Sequence, residues 1–297
     1  MMPSALAPRR ESAPTFVVTG AAGFIGRAVC AELLARGAVV LAVSRSLQPA
    51  VTGLSPQCVR DYAETPVPPG SVCLHLAGTS RAQEVESNFS AELEATLRIA
   101  QHLATAGFTR VVYASSAQVY GDRLREPRRE EEAVAPAGPY ARLKRAAEEV
   151  FLAHGHVVTR IANMYGRGMS AANVLSDLLR QIPGHGDVRV RDTAPVRDYI
   201  HVRDVALGLA DLALGASEGI YNLGTGIGTS VGELAALLLT QAGEGARRVV
   251  PLACGNRPSW LVLDPNKMKT TFGWEPAVSL MQGLKELLNR RDRVLAE

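Results

Sequence analysis

Cysteine and lysine are both scarce in this chain of 297 residues. The four cysteines form no Cys-x-x-Cys pair, which argues against a disulfide framework and favours a reduced, cytoplasmic protein. Only four of the 32 basic residues are lysines, so a lysine at a particular position is a notable choice in this chain.

Long apolar runs and a strong net charge are also missing. No stretch approaches the roughly 20 apolar residues of a membrane span, and a net charge of +3 does not suggest a nucleic-acid partner. Residues 1–14 have no apolar leader core and are expected to form a disordered tail. His154 and His156 form an isolated pair in an expected surface loop, so no metal site is predicted.

What the chain does contain is a strand, a glycine-rich turn and a helix start in direct succession. The apolar run Phe16–Val18 precedes Thr-Gly-Ala-Ala-Gly-Phe-Ile-Gly at positions 19–26. The first glycine permits a tight turn, the second lets the backbone approach a pyrophosphate, and the third lets the helix pack on the strand. The N–H groups of the helix start favour an anion. The cofactor-binding residues predicted here are Gly20, Gly23, Phe24, Ile25 and Gly26.

Strand-like and helix-like runs alternate in the first half of the chain. This rhythm predicts an α/β fold, a doubly wound parallel Rossmann sheet with helices on both faces. A dinucleotide-binding domain is predicted over residues 15–165, with late elements from about 196–226. The remaining ranges, 166–195 and 227–297, are predicted to form a smaller, interleaved substrate-binding lobe.

Several local elements are expected from periodicity and composition. Helices are expected over Glu84–Ala106, Met169–Arg180 and Val231–Gln241. The charged, proline-containing segment Asp122–Gly138 is expected to be a solvated loop.

The clearest chemical pattern joins a strand end to the helix that follows the long loop. Ser116 ends an apolar strand, and Tyr140 and Lys144 follow with the spacing that places two side chains on one helix face. An ammonium near a phenol favours the phenolate, so the lysine is expected to lower the pKa of Tyr140. Such a tyrosine exchanges a proton with a sugar hydroxyl or carbonyl. A serine hydroxyl can hydrogen-bond the same oxygen.

With these residues, the chain resembles the extended short-chain dehydrogenase/reductase family of nucleotide-sugar epimerases, dehydratases and ketoreductases. The likeness runs from about residue 15 to residue 285. Beyond the glycine turn and the Ser, Tyr and Lys positions, the matching segments are His75–Ala77, Asn163–Gly166, Arg197–Asp204, Tyr221–Gly226 and Phe272–Pro276.

The resemblance implies a role for each matching residue. Tyr140 is the implied acid/base, Lys144 holds the nicotinamide ribose, and Ser116 orients the reacting oxygen. Further implied cofactor contacts are Leu76, Ala77 and Gly78 at a strand exit and Asp61 at the adenine. Implied contacts to a nucleotide-diphosphate sugar are Asn163, Arg197 and Arg257. Relatives pair helices across a homodimer, so the resemblance implies a homodimer formed through the helices 91–106 and 140–153, with ordinary sheet-covering helices as the alternative.

The end of the second strand bears on the choice of cofactor. Relatives that prefer NAD place an acidic residue there for the ribose 2′-OH. Here the strand Val39–Val43 is followed by Ser44 and Arg45, and no carboxylate is present. A hydroxyl and a guanidinium suit a 2′-phosphate, so NADP(H) is favoured, with NAD(H) as the alternative.

The residues after the catalytic serine bear on the reaction. Family dehydratases carry an Asp-Glu pair there, whereas this chain has Ala117 and Gln118, which disfavours a 4,6-dehydratase. The favoured activity is an NADPH-dependent ketoreductase acting on a nucleotide-diphosphate keto-sugar. An epimerase with tightly bound NAD+ is the alternative. A non-catalytic cofactor-binding protein is the minor alternative, and it would be expected to lack Tyr140 or Lys144.

Overall fold

The structure is a computed structural model that describes residues 14–46, 50–78, 82–182, 184–253 and 259–294. In chain order, the strands are β1 (Thr15–Thr19), β2 (Val39–Ser44), β3 (Leu54–Cys58), β4 (Val72–His75), β5 (Arg110–Ser116), β6 (Val157–Ile161), β7 (Asn163–Tyr165), β8 (Val188–Val190), β9 (Val196–His201), β10 (Gly219–Leu223), β11 (Gly228–Ser230), β12 (Val249–Pro251) and β13 (Trp260–Leu261). The helices are α1 (Phe24–Ala35), α2 (Ala82–Ser87), α3 (Phe89–Thr105), α4 (Pro139–Ala153), α5 (Val174–Gln181), α6 (Val202–Gly215), α7 (Val231–Gln241), α8 (Asn266–Phe272) and α9 (Leu280–Val294).

A seven-stranded sheet forms the centre of the fold, in the order β10-β6-β5-β4-β1-β2-β3. Every pairing within it is parallel, so all carboxyl ends meet at one edge. The predicted fold class, a doubly wound α/β sheet, is confirmed. The strand order reverses between β1 and β4, and a crevice at such a point is where ligands bind in open α/β sheets.

Helices cover both faces of this sheet. Leu33 of α1 and Leu209 of α6 are buried in one apolar core, and Leu103 of α3 and Phe151 of α4 are buried in another. Full burial of an apolar side chain such as Phe151 stabilises the fold by about 1.5–3 kcal/mol. Within the described ranges, no helix combines the length and apolar character needed to cross a lipid bilayer.

A second layer of structure lies beyond the main sheet. Strands β7, β11 and β13 all pair with β9, and β8 pairs with β12. Side chains of α5, α7 and α9 form a third core around Leu178, Leu238 and Leu284. Although β7 and β9 lie in ranges assigned to the dinucleotide-binding domain, they belong to this second sheet. The division into two lobes stays a prediction.

Helix α7 has the expected bounds, but other local expectations need correction. Helix α5 begins at Val174 rather than Met169, because the Asn173 side chain caps it by accepting a hydrogen bond from the Ser176 amide at 2.9 Å. The expected long helix is broken at Asn88, whose backbone is not helical, into α2 and α3. Strand β3 is not among the predicted elements, and it contains Pro56, which an edge strand tolerates.

Two segments expected at the surface contribute buried side chains. In the loop 122–138, Arg128 and Glu130 are buried, and Glu130 accepts a hydrogen bond from the Asn222 amide at 2.8 Å. His156 is also buried, with Nε2 3.0 Å from the Ala104 carbonyl oxygen. The expected tail lies outside the described residues except for Pro14.

Candidate active site

The glycine-rich turn joins β1 to α1 at the point where the strand order reverses. Gly20 has a φ of +72°, and a Cβ there would lie 2.8 Å from the backbone nitrogen of Ala77. A Cβ on Gly26 would lie 2.2 Å from the Gly20 carbonyl oxygen. Gly23 precedes the first helical residue, so the amides of Phe24 and Ile25 belong to a first turn without intrahelical acceptors. The turn therefore presents backbone donors at the crevice.

A cavity of about 580 Å³ extends from this turn along the carboxyl edge of the sheet. It brings together most of the residues that the sequence predicted as cofactor contacts or catalytic groups. The predicted residues in its lining are Gly20, Gly23, Ser44, Arg45, Asp61, Leu76, Ala77, Gly78, Tyr140 and Lys144.

Tyr140 and Lys144 line this cavity, and Ser116, which is not among its lining residues, contacts Tyr140. Ser116 ends β5, and its hydroxyl hydrogen-bonds the Tyr140 phenol. Lys144 lies one helical turn after Tyr140, with Nζ 5.9 Å from the centre of the tyrosine ring. The ammonium donates a hydrogen bond to the Ala114 carbonyl at 2.7 Å. A proton donor and a cation therefore line the cavity, and a hydroxyl bonded to the donor lies next to them.

The pKa of the Tyr140 phenol is shifted in the opposite direction to the one that the sequence predicts. Burial raises the pKa of Tyr140 to about 12, and the Ser116 hydrogen bond opposes this rise only in part. Lys144 was expected to lower the pKa of Tyr140, but it bonds a backbone carbonyl instead of the phenol. Burial lowers the pKa of Lys144 to about 8, which the charge of Glu148 opposes. At neutral pH, the phenol is protonated and the lysine is charged.

His75 lines the cavity, but the sequence analysis assigned it no role of its own. Its Nδ1 lies 2.7 Å from the Thr19 hydroxyl, and its ring stacks on Tyr113 with centroids 5.7 Å apart. Burial, together with the charge of Lys144, lowers the pKa of His75 to about 3, so the ring is neutral. The sequence feature that could have identified this residue is its position in the segment His-Leu-Ala, which matches the family.

Helix α3 supplies further cavity residues that the sequence did not assign. Glu92, Thr96 and Ile99 line the cavity, and their spacing of four and three places them on one helix face. Helical periodicity predicts that these three residues share a face of the helix. It does not predict that this face lines the cavity.

The far end of the cavity lies between the ends of β2 and β3. Ser44 donates a hydrogen bond to the Ser46 carbonyl, and exposed Arg45 lies with its guanidinium 6.0 Å from the Tyr62 ring centre. Asp61 is bound by Arg98 at 2.5 Å, and this pairing lowers the pKa of the Asp61 carboxyl. The end of β2 thus supplies a hydroxyl and a cation, and the nearby carboxylate already has a partner.

The predicted substrate residues lie on the second sheet. Asn163 on β7 is in register with Tyr199 on β9, two residues beyond Arg197. The Arg197 guanidinium donates to the Ser259 hydroxyl at 2.7 Å and lies 3.5 Å from Asp122 Oδ2. Arg257 lies outside the described residues.

A glycine turn at the strand reversal and a Ser, Tyr and Lys cluster on the same sheet edge are the features expected of an enzyme of the extended short-chain dehydrogenase/reductase type. The family model for the NAD dependent epimerase/dehydratase family matches residues 16–224, and the chain belongs to that family.

Proteins of three reaction types are similar to this chain. A dTDP-6-deoxy-L-talose 4-dehydrogenase (NAD(P)(+)) of Kitasatospora kifunensis is 26% identical, over 93% of this chain and 96% of its own length. A dTDP-glucose 4,6-dehydratase of Streptomyces griseus is 28% identical, over 90% and 91%. The solved UDP-glucose 4-epimerase of Thermus thermophilus, in complex with NAD, has a TM-score of 0.77 at 27% identity, covering 91% of this chain and 96% of that one. The family is thus shown, while the relatives differ in reaction.

Proposed function

We propose that this protein is an NADPH-dependent ketoreductase that reduces the keto group of a nucleotide-diphosphate keto-sugar. The observation that carries the proposal is the end of β2, where Ser44 and Arg45, with no carboxylate beside them, line the same cavity as Tyr140 and Lys144. A reduction needs a proton donor at the carbonyl oxygen. Tyr140, which is hydrogen-bonded to Ser116, is positioned to be that donor.

The cavity suits a nicotinamide dinucleotide. The backbone at Gly20 and Gly26 comes close enough to its neighbours that a Cβ at either position would overlap them. Pyrophosphate would be held by the amides at the start of α1. Lys144 would hold the nicotinamide ribose, and Ser44 and Arg45 would hold a 2′-phosphate. The missing carboxylate at the end of β2 supports NADP(H) over NAD(H).

The residues of this chain then account for the movement of the proton. A bound NADPH would supply the hydride that the carbonyl carbon needs. Tyr140 donates its proton to the carbonyl oxygen while Ser116 hydrogen-bonds that oxygen. The charged Lys144 stabilises the phenolate that remains, and solvent returns a proton to the phenol. Carbon gains the hydride and oxygen gains the proton, so the product is an alcohol.

The substrate class rests on the second sheet and on the relatives. Arg197 has the planar fork that suits phosphate oxygens, and the relatives named above act on dTDP- or UDP-linked sugars. We assign Asn163, Arg197 and Arg257 to the diphosphate or its ribose. The lobe from 166–195 and 227–297 would cover the sugar.

A panel of nucleotide-diphosphate keto-sugars tests the proposal directly. We expect NADPH to be oxidised with at least one of them and the product mass to increase by two hydrogens. Purified protein that retains NAD+ and interconverts sugars without added cofactor would instead establish the epimerase, the second candidate that the relatives support. Turnover of neither kind across the panel, with cofactor still bound, would contradict the ketoreductase and favour the non-catalytic alternative.

The two helices on the Phe151 side of the sheet bear on assembly. Helices α3 and α4 pack side by side and leave Arg98, Arg142 and Glu149 exposed. We propose that they pair with those of a second copy in a homodimer. Light scattering from the purified protein tests this, and a monomer mass would contradict it.

A further inference from the structure

Arg60 lines the cavity that extends from the glycine turn, and it does so from the end of β3. In the parallel pairing of β2 with β3, Ser44 is in register with Cys58, and the Val59 amide donates to the Ser44 carbonyl at 3.0 Å. Arg45 and Arg60 therefore follow the carboxyl ends of two neighbouring strands, and both residues are exposed in the cavity lining. Because neighbouring strands lie about 4.8 Å apart, two long side chains at their ends can reach one bound group.

The Ser44 hydroxyl is already engaged within the protein. Ser44 is buried, and its O–H donates to the Ser46 carbonyl. A serine has only one proton to donate, whereas a phosphate monoester near neutral pH carries a charge of about −1.5 to −2 and takes hydrogen bonds on three oxygens. The donors and the positive charge that a 2′-phosphate needs must therefore come from other residues at this end of the cavity.

Asp61 and Arg98 balance each other at the same end of the cavity. Asp61 follows Arg60 directly, and Arg98 lines the cavity from α3. Their ion pair measures 2.5 Å, and the Asp61 carboxylate also accepts a hydrogen bond from the Ala63 amide at 2.8 Å. The charge of this carboxylate is thus matched by Arg98, so it offsets little of the charge of Arg45 and Arg60.

Two other carboxylates also leave these arginines without an ion pair. Glu64 accepts a hydrogen bond from the backbone amide of Arg60 at 3.3 Å rather than from its guanidinium. Glu92 lines the same cavity, but it precedes Arg98 on α3 by about 9 Å along the helix axis. Among the described residues, no carboxylate lies within ion-pair distance of the Arg45 or Arg60 guanidinium. Two cations are therefore available at the ends of β2 and β3.

We propose that Arg60 is a specificity-determining residue, which binds the 2′-phosphate of NADP(H) together with Arg45. The inference rests on the proposed function, because it concerns the cofactor of that reaction. Two guanidinium groups match the charge of a phosphate dianion, and each has a planar fork that donates two parallel hydrogen bonds to phosphate oxygens. NADH carries a hydroxyl at this position, so Arg60 adds to the affinity for NADPH and not to that for NADH.

Cofactor binding tests this proposal without any sugar substrate. Fluorescence titration of the full chain gives the Kd for NADPH and the Kd for NADH, and their ratio is the measured quantity. We expect the wild type to bind NADPH more tightly than NADH. In Arg60→Gln, we expect the Kd for NADPH to rise by about tenfold or more, the range for a hydrogen bond to a charged group. The Kd for NADH should change by less than about twofold.

Two further variants complete the design. The double variant Arg45→Ala/Arg60→Gln should bind the two cofactors with similar affinity, because both cations at the 2′ position are gone. Arg203→Ala is the matched control, since it removes an exposed arginine that lies outside the lining of this cavity, and both Kd values should stay at those of the wild type. Because Arg60 is exposed, Arg60→Gln should keep the fold, which circular dichroism verifies.

The possible outcomes separate this inference from the proposed function. A preference for NADPH that Arg60→Gln leaves unchanged overturns the role of Arg60 alone. Wild-type protein that binds NADPH and NADH equally overturns that role together with the NADP(H) part of the proposed function. A preference that falls as expected, in a protein that reduces no keto-sugar, supports Arg60 and overturns only the proposed reaction.

Discussion

Gly20 lies against Ala77, so that a Cβ on the glycine would stand 2.8 Å from the backbone nitrogen of its neighbour. The contact joins the turn after β1 to the chain leaving β4, across the reversal in strand order. We expect Gly20→Ala to weaken NADPH binding at least about tenfold, because the turn must open to relieve the overlap. Isothermal titration calorimetry with NADPH measures this loss.

Gly37→Ala is the control that separates the effect of steric overlap at Gly20 from the effect of backbone strain. Gly37 has a φ of +76°, close to that of Gly20, but a Cβ there would meet nothing within 4 Å. Both substitutions carry the strain of a positive φ, about 1–2 kcal/mol. Cofactor affinity should therefore be retained in Gly37→Ala. Equal losses in both variants would contradict the role assigned to the close approach.

Tyr140→Phe should abolish turnover without loss of cofactor. The change removes one hydroxyl, and loss of a general acid reduces kcat by about 10²–10⁴-fold. The Kd for NADPH should change by less than about twofold, a shift well under 1 kcal/mol. Tyr221→Phe is the control, because this tyrosine is buried beside Phe272 and lies outside the cavity lining. An active Tyr140→Phe enzyme would exclude the phenol as the proton donor.

Arg45→Ala should discriminate between the two cofactors. If Arg45 contacts a 2′-phosphate, its loss should raise the KM for NADPH by about 10–100-fold, the range for a hydrogen bond to a charged group. The KM for NADH should change little, because NADH has no phosphate at that position. Arg203→Ala, which removes an exposed arginine paired with Glu286, serves as the control. Equal effects on both cofactors would remove the support for NADP(H).

His75 should make the protein sensitive to acid. Its pKa is about 3 in the fold, against an ordinary value of 6.5. Between these values the unfolded state binds more protons, so the free energy of unfolding rises with pH and is lost as pH falls below 6.5. In His75→Gln, urea unfolding between pH 4 and pH 7 should show a shallower pH dependence, by about 1 kcal/mol per pH unit. His154→Gln, which changes an exposed histidine, is the comparison, and an unaltered slope in His75→Gln would contradict the assignment.

The motif residues were predictable because their chemistry is local. Gly20 and Gly26 are set by a turn of a few residues, and Tyr140 and Lys144 share a helix face through their spacing alone. Their meeting with Ser116 follows from the parallel topology, which brings strand ends and helix starts to one edge.

Burial by distant segments was not predictable. Glu148 on a helix pairs with Arg160 on a strand. Each is a charged residue type that is ordinarily exposed, so neither suggests burial when it is considered alone. Arg128 and Glu130 were assigned to solvent for the same reason. The direction of the pKa shift of Tyr140 was also missed, because burial outweighs a lysine that bonds the Ala114 carbonyl.

The position of Pro56 in β3 has a consequence for the outer margin of the sheet. The Val59 amide donates inward to the Ser44 carbonyl, so by alternation the amide positions of 54, 56 and 58 point away from β2. The Leu54 amide is occupied by the Val51 carbonyl, and proline has no N–H to offer. Only Cys58 is left as an outward donor within the strand. A foreign strand therefore finds few donors on this side, although the outward carbonyls remain, and the shortage of donors weakens edge-to-edge pairing here.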